Sequence, residues 1–515
     1  MPHNDESPKM NRLFNYRPAV VVLLFIVSAI LLAGLLMQVG FAYIIITSLC
    51  VIGVVLLIVF RAKVKHFTSL IIGVVCFGLM FGYSTITLNS TAQSYDMDIV
   101  NATIRINYVS QDADKIFADV YIADTQLVGQ ARVESMPMFF DTSTIETGQV
   151  FDCVISIRSN QAIYDTLSYN SDYFVQDIRY IVDVDMVYGV ETSPLTLTES
   201  IRGYITDLVY SVLGQDEAGI SLALILGDKY NISQDLKSAF STSGLSHVLA
   251  ISGLHVTILA SIVSFFLSKT KLGIKKSSII SIFVAFVYVF ISGFAPSSVR
   301  ALIMYALMVL LYVFVKQHDQ LSSLALSAIV ILFINPMYLY YLGFLMSFSA
   351  VLGIILCASN ISNSRLLERL PKWLVDIIAT SLAVNVTMLP ILADTFGSLP
   401  VISILSNVLI LPIMSILMTL LMAVVIIVCI LPFMSFLLYI PAVLIFYLEY
   451  VAILLGGTAI STIKLAGMSW LSVPYYSSLV VASDYCGASR RVKINASILA
   501  SMIVIAFVVV SSIVL

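Results

Sequence analysis

The side chains best placed for chemistry fall in one stretch, Ser-Gly-Leu-Ser-His-Val-Leu-Ala-Ile-Ser-Gly-Leu-His-Val, residues 243–256. It carries His247, Ser252 and His255 inside an apolar run. Imidazoles can hydrogen-bond phosphate or titrate near neutral pH. On one helix the eight-residue spacing is about 80° of rotation and about 12 Å of rise, so the two histidines would line one face of a conduit without sharing an ion. Gly244 and Gly253 permit a helix break or a close backbone approach. A Ser/His hydrolase is disfavoured, because Ser252 has no carboxylate partner in the stretch and the three residues fall on different helix faces. Elsewhere, Pro296 and Arg300 open a later apolar run, with Arg300 placed for phosphate contact or for snorkelling to the interface. Asp228 and Lys229 follow the run ending at Gly227, and Asp228 is suited to pairing with Arg300 or capping a helix. Asn407, inside an apolar span, is a candidate to donate across helices or to a substrate in transit, and Glu449, the sole acid of its span, is expected to pair within the bundle, with proton coupling as the alternative.

Ionisable groups in apolar runs matter because the chain belongs in lipid. Its 515 residues are 59% hydrophobic and 11% charged, with a mean hydropathy of +1.00; soluble chains carry about 25% charged residues. A membrane helix needs about 20 mostly apolar residues. That criterion predicts a mostly α polytopic bundle of about 11–13 segments: 19–37, 41–60, 67–88, 247–268, 278–295, 298–315, 320–334, 337–358, 374–392, 399–430, 433–456, 474–488 and 494–515. Pro400 and Pro412 predict a broken or re-entrant helix over 399–430. The first run lacks a small-residue cleavage site and reads as a retained helix.

Basic residues cluster at alternate ends of these spans: Lys9, Arg12 and Arg17; Arg61, Lys63 and Lys65; Lys269, Lys271, Lys275 and Lys276; Lys316; Arg365, Arg369 and Lys372; Arg490, Arg491 and Lys493. If all are cytoplasmic, the N-terminus is inside, and the C-terminus and residues 89–198 are outside the cytoplasm. In 89–198 the apolar residues alternate with polar ones, the period of half-buried strands. A small all-β domain follows, and a five-stranded OB-like barrel fits. It holds 16 acidic against 5 basic residues; its mean field repels DNA despite several tyrosines suited to stacking, so tight autonomous DNA binding is not expected. Residues 199–245 read as amphipathic linking helices, Ile201–Leu213 and Glu217–Leu226. The predicted organisation is 1–88 front helices, 89–198 β domain, 199–245 linker and 246–515 membrane domain.

The six cysteines and five histidines show no metal-ligand spacing, and no nucleotide-binding motif is present. No cofactor is expected.

Gly244–Val256 resembles the ComEC-family signature GLxHxLAISGLHV. Further landmarks resemble that family in order: Gly227-Asp228-Lys229, Pro296-Ser-Ser-Val-Arg300, Asn335-Pro336, Gly343-Phe-Leu-Met-Ser-Phe348, Phe396-Gly-Ser, and Asn407 with Pro412. The resemblance is close over 200–490 and is one of layout before that. It implies a competence protein of the cell membrane, a channel for single-stranded transforming DNA. It also implies partners: a DNA receptor outside, a helicase-like motor and single-strand-binding proteins inside, with homo-oligomerisation left open. The family often carries a metallo-β-lactamase-like nuclease domain. The HxHxDH motif is missing and the chain stops at Leu515, so a short form is expected, with a separate nuclease and no enzymatic activity of its own. The alternative is a secondary transporter or exporter of another polar solute.

Overall fold

The computed structural model describes residues 18–39, 67–91, 97–109, 116–122, 126–136, 145, 147–159, 178–194, 196–228, 231–249, 253–270, 272–292, 296–314, 320–364, 367–458, 462–464, 472–483, 492–493 and 495–502. The expected span 41–60 lies outside them, as do most of 494–515, Lys229 and Ser252. The chain divides into two compact units.

The first unit contains α1 (Pro18–Val39), α2 (Phe67–Thr91), α9 (Gln320–Ile334), α10 (Leu342–Ser362), α11 (Lys372–Phe396) and α14 (Ser472–Ala482). A 3-10 turn, Pro336–Tyr340, joins α9 to α10, with the Asn335 side chain accepting from the Met337 amide at 2.9 Å. α1 packs on α9, and α10 packs along α11. A two-stranded sheet pairs β6 (Ser398–Pro400) with β7 (Thr462–Lys464). Pro400 therefore sits in a strand, before the helix begins.

The second unit opens with a closed barrel. Its strands are β1 (Met97–Val109), β2 (Ile116–Ile122), β3 (Gln126–Ser135), β4 (Gln149–Ser159) and β5 (Ile178–Thr192). They close in the order β1-β2-β3-β5-β4, with β1 returning to β4. All pairs are antiparallel except β3 with β5. The core is the inward set that strand periodicity dictates: Ala102, Ile104 and Ile106 on β1, Phe151, Cys153 and Ile155 on β4, Val182 and Val184 on β5.

After the barrel come α3 (Leu197–Tyr210), α4 (Gln215–Leu226), α5 (Gln234–Thr242), α6 (Gly253–Ser268), α7 (Gly273–Ile291), α8 (Pro296–Phe314) and α13 (Tyr439–Gly456). α3 starts at a capping box, Thr196 with Glu199, and buries Ile205, Leu208 and Val209. α4 corrects the amphipathic expectation for Glu217–Leu226. Every residue from Ala218 to Leu226 is buried, because a helix apolar all round belongs in the interior.

α12 (Ser403–Ile430) runs from the first unit into the second. It passes Pro412 unbroken, against the expected interruption: a lone proline costs one helical hydrogen bond, which a long membrane helix tolerates. Five helical segments among the described residues are long and apolar enough to cross a membrane: Gly273–Ile291, Leu342–Ser362, Lys372–Phe396, Ser403–Ile430 and Pro432–Gly456. Five shorter apolar helices accompany them. The molecule is a helical membrane protein with one small barrel.

Candidate functional site: a polar seam at the start of two apolar helices

The signature is not one helix. α5 ends in a Schellman motif: the Leu245 amide donates to Phe240 O at 2.8 Å and the Gly244 amide to Ser241 O at 3.0 Å. Gly244 adopts φ +75°, which suits glycine. Leu245 and Phe240 are both fully buried, completing the motif's hydrophobic contact. Gly244 is thus the stop of α5. Residues 245–249 then run in turns, and α6 begins only at Gly253. The expected helix from residue 247 is corrected accordingly, and the two histidines do not share one helical face.

They occupy different environments. His247 is exposed. Its Nδ1 lies 3.1 Å from Gly244 O. His255, in the first turn of α6, is buried, as is Val256 behind it.

α6 and α8 meet at their starts. A Cβ placed on Gly253 would lie 4.0 Å from Ala301 Cβ, an ordinary van der Waals contact, so the starts of α6 and α8 are neighbours at this point. Next to Ala301 is Arg300, 8% exposed, and two residues earlier Ser298, fully buried. The Ser298 hydroxyl has no hydrogen-bond partner among the described residues, nor does the Tyr288 hydroxyl on α7. Pro296 is the first residue of α8, where its missing amide costs nothing. Farther along, the three helices are tied by hydroxyls: Ser264 to Ser278 at 3.3 Å and Ser281 to Tyr305 at 2.8 Å. The result is a polar seam through α6, α7 and α8.

The other expected residues lie elsewhere. Asp228 is buried and accepts from Asn231 Nδ2 at 3.3 Å, just after the left-handed Gly227 that ends α4. Near Glu449 stand two further acids, Asp216 and Glu217 in the first turn of α4. Asn407 belongs to the first unit. Its Nδ2 donates to Ser381 Oγ at 3.1 Å, while Asn385 Nδ2 donates to Ser403 Oγ at 3.0 Å. Residues 381 and 385 on α11 thus face 407 and 403 on α12 in a two-rung polar ladder.

Three features escaped the sequence. Arg105 on β1 makes a two-point contact with Glu199, at 3.0 and 3.3 Å, pinning the barrel to α3. Burial works against the Glu199 carboxylate, but Arg105 and the Thr196 cap outweigh it and hold its pKa below the usual range. Arg202 Nη1 donates to Leu226 O and Ile291 O, at 3.2 and 3.3 Å, placing a cation at the carbonyl ends of α4 and α7. In the first unit, Tyr475 and Tyr476 donate to Val386 O and Thr387 O. The signal nearest to them in the sequence is the Thr196-x-x-Glu199 pattern of the capping box, which places Glu199 but not its arginine partner.

An apolar bundle whose charged and hydroxyl groups gather at abutting helix starts belongs to the class of membrane proteins with a polar interior. The family described as Competence protein matches residues 224–486, just over half of the chain, and the chain belongs to that family. It is 25% identical over 365 residues to ComE operon protein 3 of Bacillus subtilis (strain 168), covering 70% of this chain and 46% of that protein. It is 33% identical over 141 residues to an uncharacterized protein of Aquifex aeolicus (strain VF5), covering 27% of this chain and 32% of that protein. The chain thus spans less than half the length of either relative. No solved structure matches.

Proposed function

We propose that this protein is the transmembrane channel through which single-stranded transforming DNA enters the cell. One observation carries the reading. His255, Ser298 and Arg300 are buried where the starts of α6 and α8 are neighbours at Gly253 and Ala301, in largely apolar helices. Ionisable groups at such depth are costly and mark a pathway for a hydrophilic substrate, and a polyanion needs donors along its route. His247, with its open side chain, is assigned to the wall of the same route, and Ser252 between them to its lining. Asn407 and its ladder are assigned to bundle architecture.

In this reading residues 1–88 are front helices, 89–198 an extracytoplasmic OB-type barrel, 199–245 the linker and 246–515 the channel domain. The N-terminus is cytoplasmic. The barrel's acidity suits it to guiding a strand or meeting a DNA receptor rather than gripping DNA. Strand degradation and the motor are assigned to separate proteins.

The test is uptake of labelled DNA in a competent host whose own channel gene is deleted and replaced by this one. Arg300→Gln and His255→Leu are each expected to reduce internalised label by about tenfold or more, with surface-bound DNA and membrane protein levels unchanged. Normal internalisation by the strain lacking any channel gene, or by both variants, would sink the proposal and favour transport of another solute.

A further inference from the structure

The turn joining α6 to α7 carries four lysines within eight residues: Lys269, Lys271, Lys275 and Lys276. Lys271 lies outside the described residues; the other three are exposed. Interleaved with them are exposed apolar side chains, Phe265 at 57%, Phe266 at 67%, Leu272 at 40% and Ile274 at 62%. The Lys269 ammonium stands 5.1 Å from the centroid of the Phe265 ring, within cation–π reach.

This charge is not neutralised locally. Among the described residues no carboxylate pairs with Lys269, Lys275 or Lys276. α7 starts with no side-chain cap and no acid in its first turn. The amino end of a helix is itself positive, so Lys275 and Lys276 add like charge to it. An arrangement that repels itself is complementary to an external anion. The apolar side chains say which. They continue along α7 as exposed Ile279, Ile280 and Phe283, on a helix long and apolar enough to cross a membrane. The patch is the end of a lipid-facing surface. Nucleic acid would satisfy the lysines but leave Leu272 and Ile274 in water, since aliphatic side chains offer no stacking face.

We propose that the α6–α7 turn docks on anionic phospholipid headgroups. The lysines meet the phosphates, and Phe265, Phe266, Leu272 and Ile274 enter the acyl boundary. This surface is independent of the DNA-channel reading.

The test uses the full chain purified in neutral detergent, with fluorescent phosphatidylglycerol and phosphatidylcholine as probes. The native protein is expected to prefer phosphatidylglycerol. Each lysine contributes about fivefold near an anionic surface, so the triple variant Lys269→Gln, Lys275→Gln, Lys276→Gln should weaken phosphatidylglycerol binding by about a hundredfold and leave phosphatidylcholine binding alone. Lysine-to-arginine changes at the same positions should keep the preference. If the triple variant fails to fold, the single variants, each about fivefold weaker, carry the same comparison. Equal binding of the two lipids by the native protein overturns the proposal. So does an unaltered preference in the glutamine variants. Displacement of phosphatidylglycerol from the native protein by a single-stranded oligonucleotide would instead make this a nucleic-acid surface.

Discussion

Replacing Tyr475 with phenylalanine removes one oxygen atom, and its cost depends on a proline in another helix. Pro390 sits inside α11. It has no amide hydrogen, so the carbonyl four residues earlier, Val386 O, loses its helical donor. In lipid such a carbonyl must be satisfied by protein. Tyr475, fully buried on α14, donates to Val386 O at 2.7 Å. Its neighbour Tyr476 donates to Thr387 O at 2.8 Å. On the other side Gly353 of α10 lies against Thr387, just before the π-helical turn Ile354–Ala358. The hydroxyl of Tyr475 therefore substitutes for the missing amide. Orphaning a buried acceptor costs about 1–3 kcal/mol; hydrogen bonds between membrane helices average nearer ~0.6 and reach about 1.7 kcal/mol. We expect Tyr475→Phe to cost about 1–2 kcal/mol. In a Pro390→Ala background the restored backbone amide at position 390 can reach Val386 O, and the same change should then cost under about 0.5 kcal/mol. Equilibrium unfolding in a mixed-micelle denaturant titration measures all four corners of this cycle. Equal costs of Tyr475→Phe in both backgrounds would refute the substitution argument, and a costless Tyr475→Phe would refute it outright.

Three other outcomes are expected. The Arg105–Glu199 clamp holds a carboxylate with a lowered folded pKa, so its contribution is full above the unfolded value of about 4.3 and is lost as pH falls through the folded one. Amide exchange at the start of α3 should accelerate over that acid range in the native protein and not in Glu199→Gln. Burial, with Asp152 beside it, pushes the Cys153 thiol up to about 12, and its Sγ donates to Ala102 O at 3.4 Å. At about pH 8, below the ordinary thiol range, alkylating reagents should leave Cys153 unmodified until the barrel unfolds; rapid labelling of the folded protein contradicts its placement. Gly244→Ala should cost about 1–2 kcal/mol, the penalty of a left-handed conformation for a residue with a Cβ. Asn at that position should recover much of it, and an Ala variant as stable as the native protein speaks against the Schellman stop.

Much of the fold was legible because lipid and strand pairing impose simple periods. Alternation in Ala102-Thr-Ile-Arg-Ile and Phe151-Asp-Cys-Val-Ile places Ile104, Ile106, Phe151, Cys153 and Ile155 inward, where they are found. The order of the strands was not legible, since alternation says which face is buried and nothing about which strand is next. The helix limits failed for identifiable reasons. Hydropathy extends the run back to residue 247, but Gly244 reverses the chain and the residues to 249 form turns. Hydropathy also reads Pro400 and Pro412 alike. One precedes α12 in a strand, and the other lies within an intact helix, because a proline's effect depends on what surrounds the freed carbonyl.

The candidate site shows the same division at finer grain. Within the signature, Gly244 and Leu245 serve the stop of α5. That role follows from backbone angle, which glycine supplies whatever the protein transports. His247 bonds only the turn it belongs to among the contacts described above, and His255 is buried in a helix whose other inward residues, Val256, Leu259 and Ala260, are apolar. Apolar residues would satisfy packing at that position at lower cost. Under the channel proposed above, the imidazole buried there, beside the helix bearing Arg300, would serve the hydrophilic substrate. The Arg300 and His255 variants therefore test the proposed transport, whereas Gly244→Ala tests the stop of α5.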